Sequence, residues 1–251
     1  YKVTPGPMWP QGNFQNEEEV KMDQGVNESE GTGMDNRPEG MPEGRNDTIM
    51  RVAKVLSVIF HPVFMPLYGL LIIYSSHTLH SFMPVQIKRM IFILVLANNI
   101  MIPMALATVL YARGAIRTFN ARDRNERMIL LTFSVVMYTL TALLLMRMQL
   151  PSLFRAYFIA IAFVTLITLV ITVFYRLSLH ASGIGGLLVL IVFMILLYHN
   201  SMVWQLVAVF ITGGAVMASR IYLDDHSPRE VWTGLLAGMA VMGLSLFFIL
   251  K

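Results

Sequence analysis

Cysteine is absent from the 251 residues, which excludes disulfides, thiolate metal sites and cysteine nucleophiles and leaves the redox compartment open. Charge is scarce too. Only 14% of the residues are charged against 56% that are hydrophobic, which excludes a disordered polar chain and argues against an ordinary soluble domain. Acids are scarcest where the chain is most apolar. Ten of the fifteen lie in the first 48 residues beside four bases, so a tail of net −6 precedes a body of net +10 that holds only Asp123, Glu126, Asp224, Asp225 and Glu230 as acids. The body's bases flank apolar runs and no basic stripe with interleaved aromatics occurs, so the basic balance points to a bilayer and not to nucleic acid.

Residues 1–48 are rich in Gly, Pro, Asn and Glu and poor in large apolar side chains. Such a segment buries too little surface to offset chain ordering, and it is expected to be a flexible acidic tail. It holds no basic stretch followed by a short apolar segment, so no cleavable signal peptide is expected in it. From residue 49 onward the pattern changes. A hydrocarbon core of about 30 Å takes roughly 20 apolar helical residues per crossing, and seven segments meet or approach this length: about 52–75, 90–112, 128–146, 156–175, 183–198, 203–218 and 231–250. The first is interrupted by Lys54, His61, Pro62 and Pro66 and reads as a kinked span or a re-entrant segment. Residues 49–251 are therefore expected to form an all-α polytopic transmembrane bundle of six to seven spans.

Parity decides which polar residues can meet. The loops near 113–127, 176–182 and 219–230 follow the second, fourth and sixth spans and so emerge on one face, whether or not the first segment crosses. All five acids of the body fall in two of these loops or on the first turn after one, and the third contributes Ser178 and His180. The last loop reads Ser219-Arg220-Ile221-Tyr222-Leu223-Asp224-Asp225-His226-Ser227-Pro228-Arg229-Glu230. A helix starting near Pro228 puts Glu230 about one turn beyond His226, in reach of an imidazole nitrogen. The same four residues, Ser227 to Glu230, also spell a capping box with Pro at the first helical position. In the middle loop, Ser178 and His180 precede the glycine-rich stretch Gly183-Ile184-Gly185-Gly186, whose amides suit an anion and whose lack of side chains equally suits close helix packing. The first loop carries Arg113, Arg117, Arg122, Arg124 and Arg127, a pattern that also serves headgroup contact and topology.

Together these residues resemble the type 2 phosphatidic acid phosphatase superfamily, integral-membrane lipid phosphatases sharing a helical core with the vanadium haloperoxidases. Its third signature, Ser-Arg-x5-His-x3-Asp, is matched by Ser219, Arg220, His226 and Glu230, with Glu for Asp. Its second, Pro-Ser-Gly-His, is matched by Leu177-Ser178-Leu179-His180, which keeps the Ser and the His. Its first, Lys-x6-Arg-Pro, is matched in spacing by Arg117 and Arg124, with Arg127 as a competing terminal arginine; here two spans separate it from the second signature.

The resemblance implies that His226 attacks phosphorus to form a phosphohistidine, that Glu230 orients it, and that His180 exchanges protons with the leaving alcohol and with water. Arg220, Arg117, Arg124, Arg127, Ser178, Ser219 and the amides near Gly183 are implied as phosphate ligands. No metal and no cofactor enters that scheme, and the implied partners are a polyprenyl or glycerolipid phosphate and the bilayer. Asp224 and Asp225 beside His226 lack the second histidine a metal site would want. Two other classes stay open. One is an inactive lipid-binding or partner subunit of the same fold; the other is a transporter using His61, Asn98 and Asn99 as a polar path. The signature face and the tail carry most of the bases, which the positive-inside rule places in the cytoplasm, whereas bacterial members of the family usually place the site outside their inner membrane. Oligomeric state is not legible.

Overall fold

The computed structural model describes residues 46–76, 83–116, 124–199 and 201–251. Among these residues every regular element is helical: α1 (Asp47–Ile59), a 3-10 turn (Pro62–Phe64), α2 (Met65–Ser75), α3 (Val85–Val95), a π-helical segment (Leu96–Met101), α4 (Ile102–Ala112), α5 (Arg124–Met146), α6 (Ser152–Phe174), α7 (Leu179–Tyr198), α8 (Val203–Tyr222) and α9 (Pro228–Leu250). Seven stretches are long and apolar enough to cross a membrane: 47–75, 85–112, 124–146, 152–174, 179–198, 203–222 and 228–250. The chain is an integral membrane protein built as a polytopic helical bundle. Asp47 and Thr48, read above as the end of the tail, open α1; residues 1–45 lie outside the described residues.

The helices run further than hydropathy suggests. Hydropathy trims helix ends that carry charge, and the starts of α7 and α9 are capped by side chains. Ser178 caps α7, its Oγ accepting from the Ala181 amide at 3.5 Å. Ser227 caps α9 in a complete capping box with Pro228 in the first turn. Arg127, His180, Arg220 and Glu230 sit on terminal helical turns, of α5, α7, α8 and α9, and not in loops.

Prolines break the first span. The residue before a proline is driven out of the α region, and His61, at φ −61° and ψ 141°, stops α1 and caps the 3-10 turn with Nδ1 accepting from the Val63 amide at 3.4 Å. On the far side of the break Tyr157 of α6 donates its hydroxyl to the carbonyls of Met65 (3.2 Å) and Pro66 (3.3 Å), satisfying backbone acceptors in the apolar interior. Asn98 and Asn99 of the π-helical segment are interhelical glue. Asn98 Nδ2 donates to the Met137 carbonyl (2.9 Å) and to Thr141 Oγ1 (2.5 Å), and Thr141 donates to Asn99 Oδ1 (2.6 Å).

Glycine sets the distance between α7 and α9. A Cβ on Gly234 would lie 2.5 Å from the Ser178 carbonyl oxygen, and one on Gly238 would collide with the Ser182 carbonyl. This approach brings the first turns of α7 and α9 into register, with the Ser178 amide donating to the Glu230 carbonyl at 3.0 Å. Gly238→Val is expected to destabilise the protein by about 1–3 kcal/mol through overpacking against backbone, seen as a lower melting temperature in detergent. Gly214→Val, where a Cβ meets nothing within 4 Å, should leave it unchanged; equal melting of both variants would contradict the packing role.

Candidate active site

At the signature end of the bundle a cavity of about 450 Å³ opens between the helices. His61, Arg127, Arg176, His180, Arg220, Asp225 and His226 line its polar end. The rest of its wall is mostly apolar, including Phe64, Pro103, Met104, Phe133, Tyr138 and Leu187, with the hydroxyls of Thr108, Ser134, Thr165, Thr168 and Ser182 among them. Met104 is 51% exposed, so the apolar end reaches the flank of α4. Among the described residues, three guanidinium groups and one carboxylate line the polar end, a net positive balance, and the low-polarity wall strengthens its attraction for an anion.

His226 and Glu230 form the contact their spacing suggests. Nδ1 donates to Glu230 Oε2 at 2.8 Å. The same oxygen accepts from the Ser227 amide at 3.3 Å, while the Glu230 amide donates to Ser227 Oγ at 3.4 Å. One carboxylate therefore both caps α9 and fixes the imidazole tautomer, and the longer Glu side chain spans the one-turn gap. With Nδ1 protonated, Nε2 keeps its lone pair. Burial holds the His226 pKa below its ordinary 6.5; the Glu230 hydrogen bond opposes that shift, and the charges of Arg220 and Arg176 add to it.

Arg220 and Asp225 are a buried ion pair, Nη1 to Oδ2 3.1 Å, with side chains 6% and 5% exposed. The turn that joins them is closed by backbone. The amides of Asp225 (3.2 Å) and His226 (3.3 Å) both donate to the Arg220 carbonyl, Asp224 takes the left-handed φ of 53°, and Arg176 Nη2 donates to the Asp225 carbonyl at 3.1 Å. His180 Nε2 donates to the Ser57 carbonyl of α1 at 3.1 Å, which leaves Nδ1 as its other ring nitrogen. The rings of His180 and His61 meet edge to face, centroids 5.6 Å apart. Arg127 is 7% exposed, and its Nε has no hydrogen-bond partner among the described residues.

Of the residues singled out from the sequence, His180, Gly183, Arg127, Arg220 and His226 line the cavity, and Glu230 stands behind His226. Gly183 is the fifth residue of α7, so its amide belongs to the helical ladder. A Cβ there would lie 2.6 Å from Met65, and packing is its visible role. Ser178 and Ser219 are outside the cavity wall: Ser178 is the α7 cap, and Ser219 Oγ donates to the Ala215 carbonyl at 2.7 Å. Arg124 is exposed at the first residue of α5 and does not line the cavity. Arg117 lies outside the described residues. Asn98 and Asn99 do not line the cavity. Three lining groups were not among the residues assigned to the phosphate site: His61, weighed only as part of a polar path, Asp225, weighed only as a metal ligand, and Arg176. The His61-Pro62 break and the position of Arg176 after the fourth span were the available signals. Among the described residues no three histidine or acidic side chains are disposed to hold a metal ion.

No family model, curated protein or solved structure matches this chain.

Proposed function

We propose that the protein is a lipid phosphate phosphatase of the type 2 phosphatidic acid phosphatase kind, hydrolysing a phosphomonoester or diphosphate of an isoprenoid or glycerolipid in the inner membrane of a bacterium. The observation that carries the reading is one cavity whose charged end holds His226 paired with Glu230, together with His180, Arg127 and Arg220, and whose remainder is mostly apolar. Such a cavity suits an amphiphile with an anionic head. In the reaction, His226 Nε2 gives its lone pair to phosphorus as the phosphorus–oxygen bond to the leaving group breaks. With the anionic substrate bound, His180 takes part as an imidazolium: its Nε2–H stays on the Ser57 carbonyl, and its Nδ1 proton goes to the departing oxygen, which leaves the ring neutral. Water then attacks the phosphohistidine, His180 takes its proton, and inorganic phosphate leaves with His226 restored. The arginines neutralise the equatorial oxygens, the main service phosphoryl transfer needs from a protein.

The test is phosphate release by purified protein from polyprenyl phosphate, polyprenyl diphosphate and phosphatidic acid. Wild type should turn over at least one, and His180→Ala should lower that rate by about 10²–10⁴-fold, the usual worth of general acid–base catalysis. A second reading, an inactive lipid-binding or partner subunit, is favoured by Ser178, which is spent on capping α7. Lipid binding with no hydrolysis by the wild type would select it.

A further inference from the structure

The break in the first span delivers to the cavity a side chain that belongs to none of the three signatures. His61 sits between α1 and the 3-10 turn, lines the cavity, and touches the His180 ring edge to face. Its tautomer follows from its partner. The Val63 amide can only donate, so Nδ1 accepts and carries no proton; the ring is then neutral, with Nε2–H as its remaining donor. His180 also carries a proton on Nε2, fixed there by the opposite kind of partner, because the Ser57 carbonyl only accepts. Ser57 and His61 are four residues apart on one segment, so a single backbone feature both tethers His180 and presents a second imidazole. The guanidinium of Arg220 is close enough to act electrostatically on both rings. A neutral N–H donor beside buried guanidinium groups adds a directed hydrogen bond to an anion without adding repulsion among the cations.

We infer that His61 is a phosphoryl-binding residue, donating Nε2–H to an oxygen of the anion held at the arginine end of the cavity. This rests on the reading of that end as a phosphate site, and the test separates the two. Inorganic phosphate is titrated into detergent-solubilised protein by calorimetry, alongside hydrolysis assays on the same samples. His61→Leu should weaken phosphate binding about tenfold, the worth of one hydrogen bond to a charged group. His61→Gln, whose amide reaches the place of Nε2, should recover most of it. His61→Asn, whose amide reaches only the place of Nδ1, should not. Should His61→Leu fail to fold, the Gln and Asn variants decide. Equal affinity in wild type, His61→Gln and His61→Asn would overturn the inference even if lipid phosphates are hydrolysed. The expected order of affinities with no hydrolysis would uphold it and remove the phosphatase. A wild type that binds no phosphate would overturn it outright.

Discussion

Alanine in place of His226 will lower phosphate release from the best lipid substrate by about 10³-fold or more, the scale on which a covalent nucleophile acts. The melting temperature should stay close to wild type, because Glu230 keeps its second hydrogen bond, from the Ser227 amide, and α9 keeps its cap. Brief incubation of wild type with lipid carrying labelled phosphate should leave protein-bound label that is stable to base and released by acid, as a phosphoramidate is; His226→Ala should hold none. A His226→Ala enzyme with turnover near wild type would end the nucleophile assignment. The pH profile gives a second check. Burial, helped by Arg220 and Arg176 and opposed by Glu230, holds the His226 pKa below 6.5, so the neutral nucleophile persists to lower pH than an exposed histidine allows. The acid limb of kcat/KM is expected below 6.5. The sign for stability is the opposite one: the unfolded chain takes up the proton more readily than the folded one, so this residue's contribution to stability falls as pH drops below about 6.5 and levels off beneath the folded pKa.

The spans and the clustering were legible because both rest on coarse physics. Twenty apolar residues cross a bilayer whatever their order, and parity alone returns Arg127, His180 and Arg220 to one face. What stayed hidden depends on where helices begin and which way short side chains turn. Arg124 and Arg127 compete on spacing alone. Among the described residues of α5, Arg124 is exposed and Arg127, about one turn further on, is buried. Ser178 fits a phosphatase signature and an N-cap equally well, and the hydroxyl takes the cap. Gly183 suits an anion or a neighbour, and the neighbour Met65 is there. The clearest inversion is at His61 and Pro62. As hydropathy these residues weaken the first span; as geometry they end α1 where Ser57 meets His180 and place a third imidazole on the cavity wall.

The other large effect concerns stability. Asp225→Asn removes one charge of the buried Arg220–Asp225 pair while keeping size and shape, so the Arg220 charge keeps its desolvation penalty and loses the compensation of this carboxylate. Breaking such a pair from one side destabilises by roughly 3–5 kcal/mol, whereas replacing both partners with apolar residues of similar volume is often nearly neutral. Asp225→Asn is therefore expected to melt well below wild type in detergent, and the double variant Arg220→Met with Asp225→Leu to melt above the Asp225→Asn single variant, a non-additivity expected only for groups in direct contact. The same double variant separates folding from chemistry. It restores the turn that carries His226 without restoring the guanidinium, so a well-folded protein that no longer binds inorganic phosphate would place the role of Arg220 in anion binding. Phosphate affinity retained at the wild-type value would instead confine Arg220 to holding the turn, and would leave Arg127 and Arg176 as the cations that face the substrate.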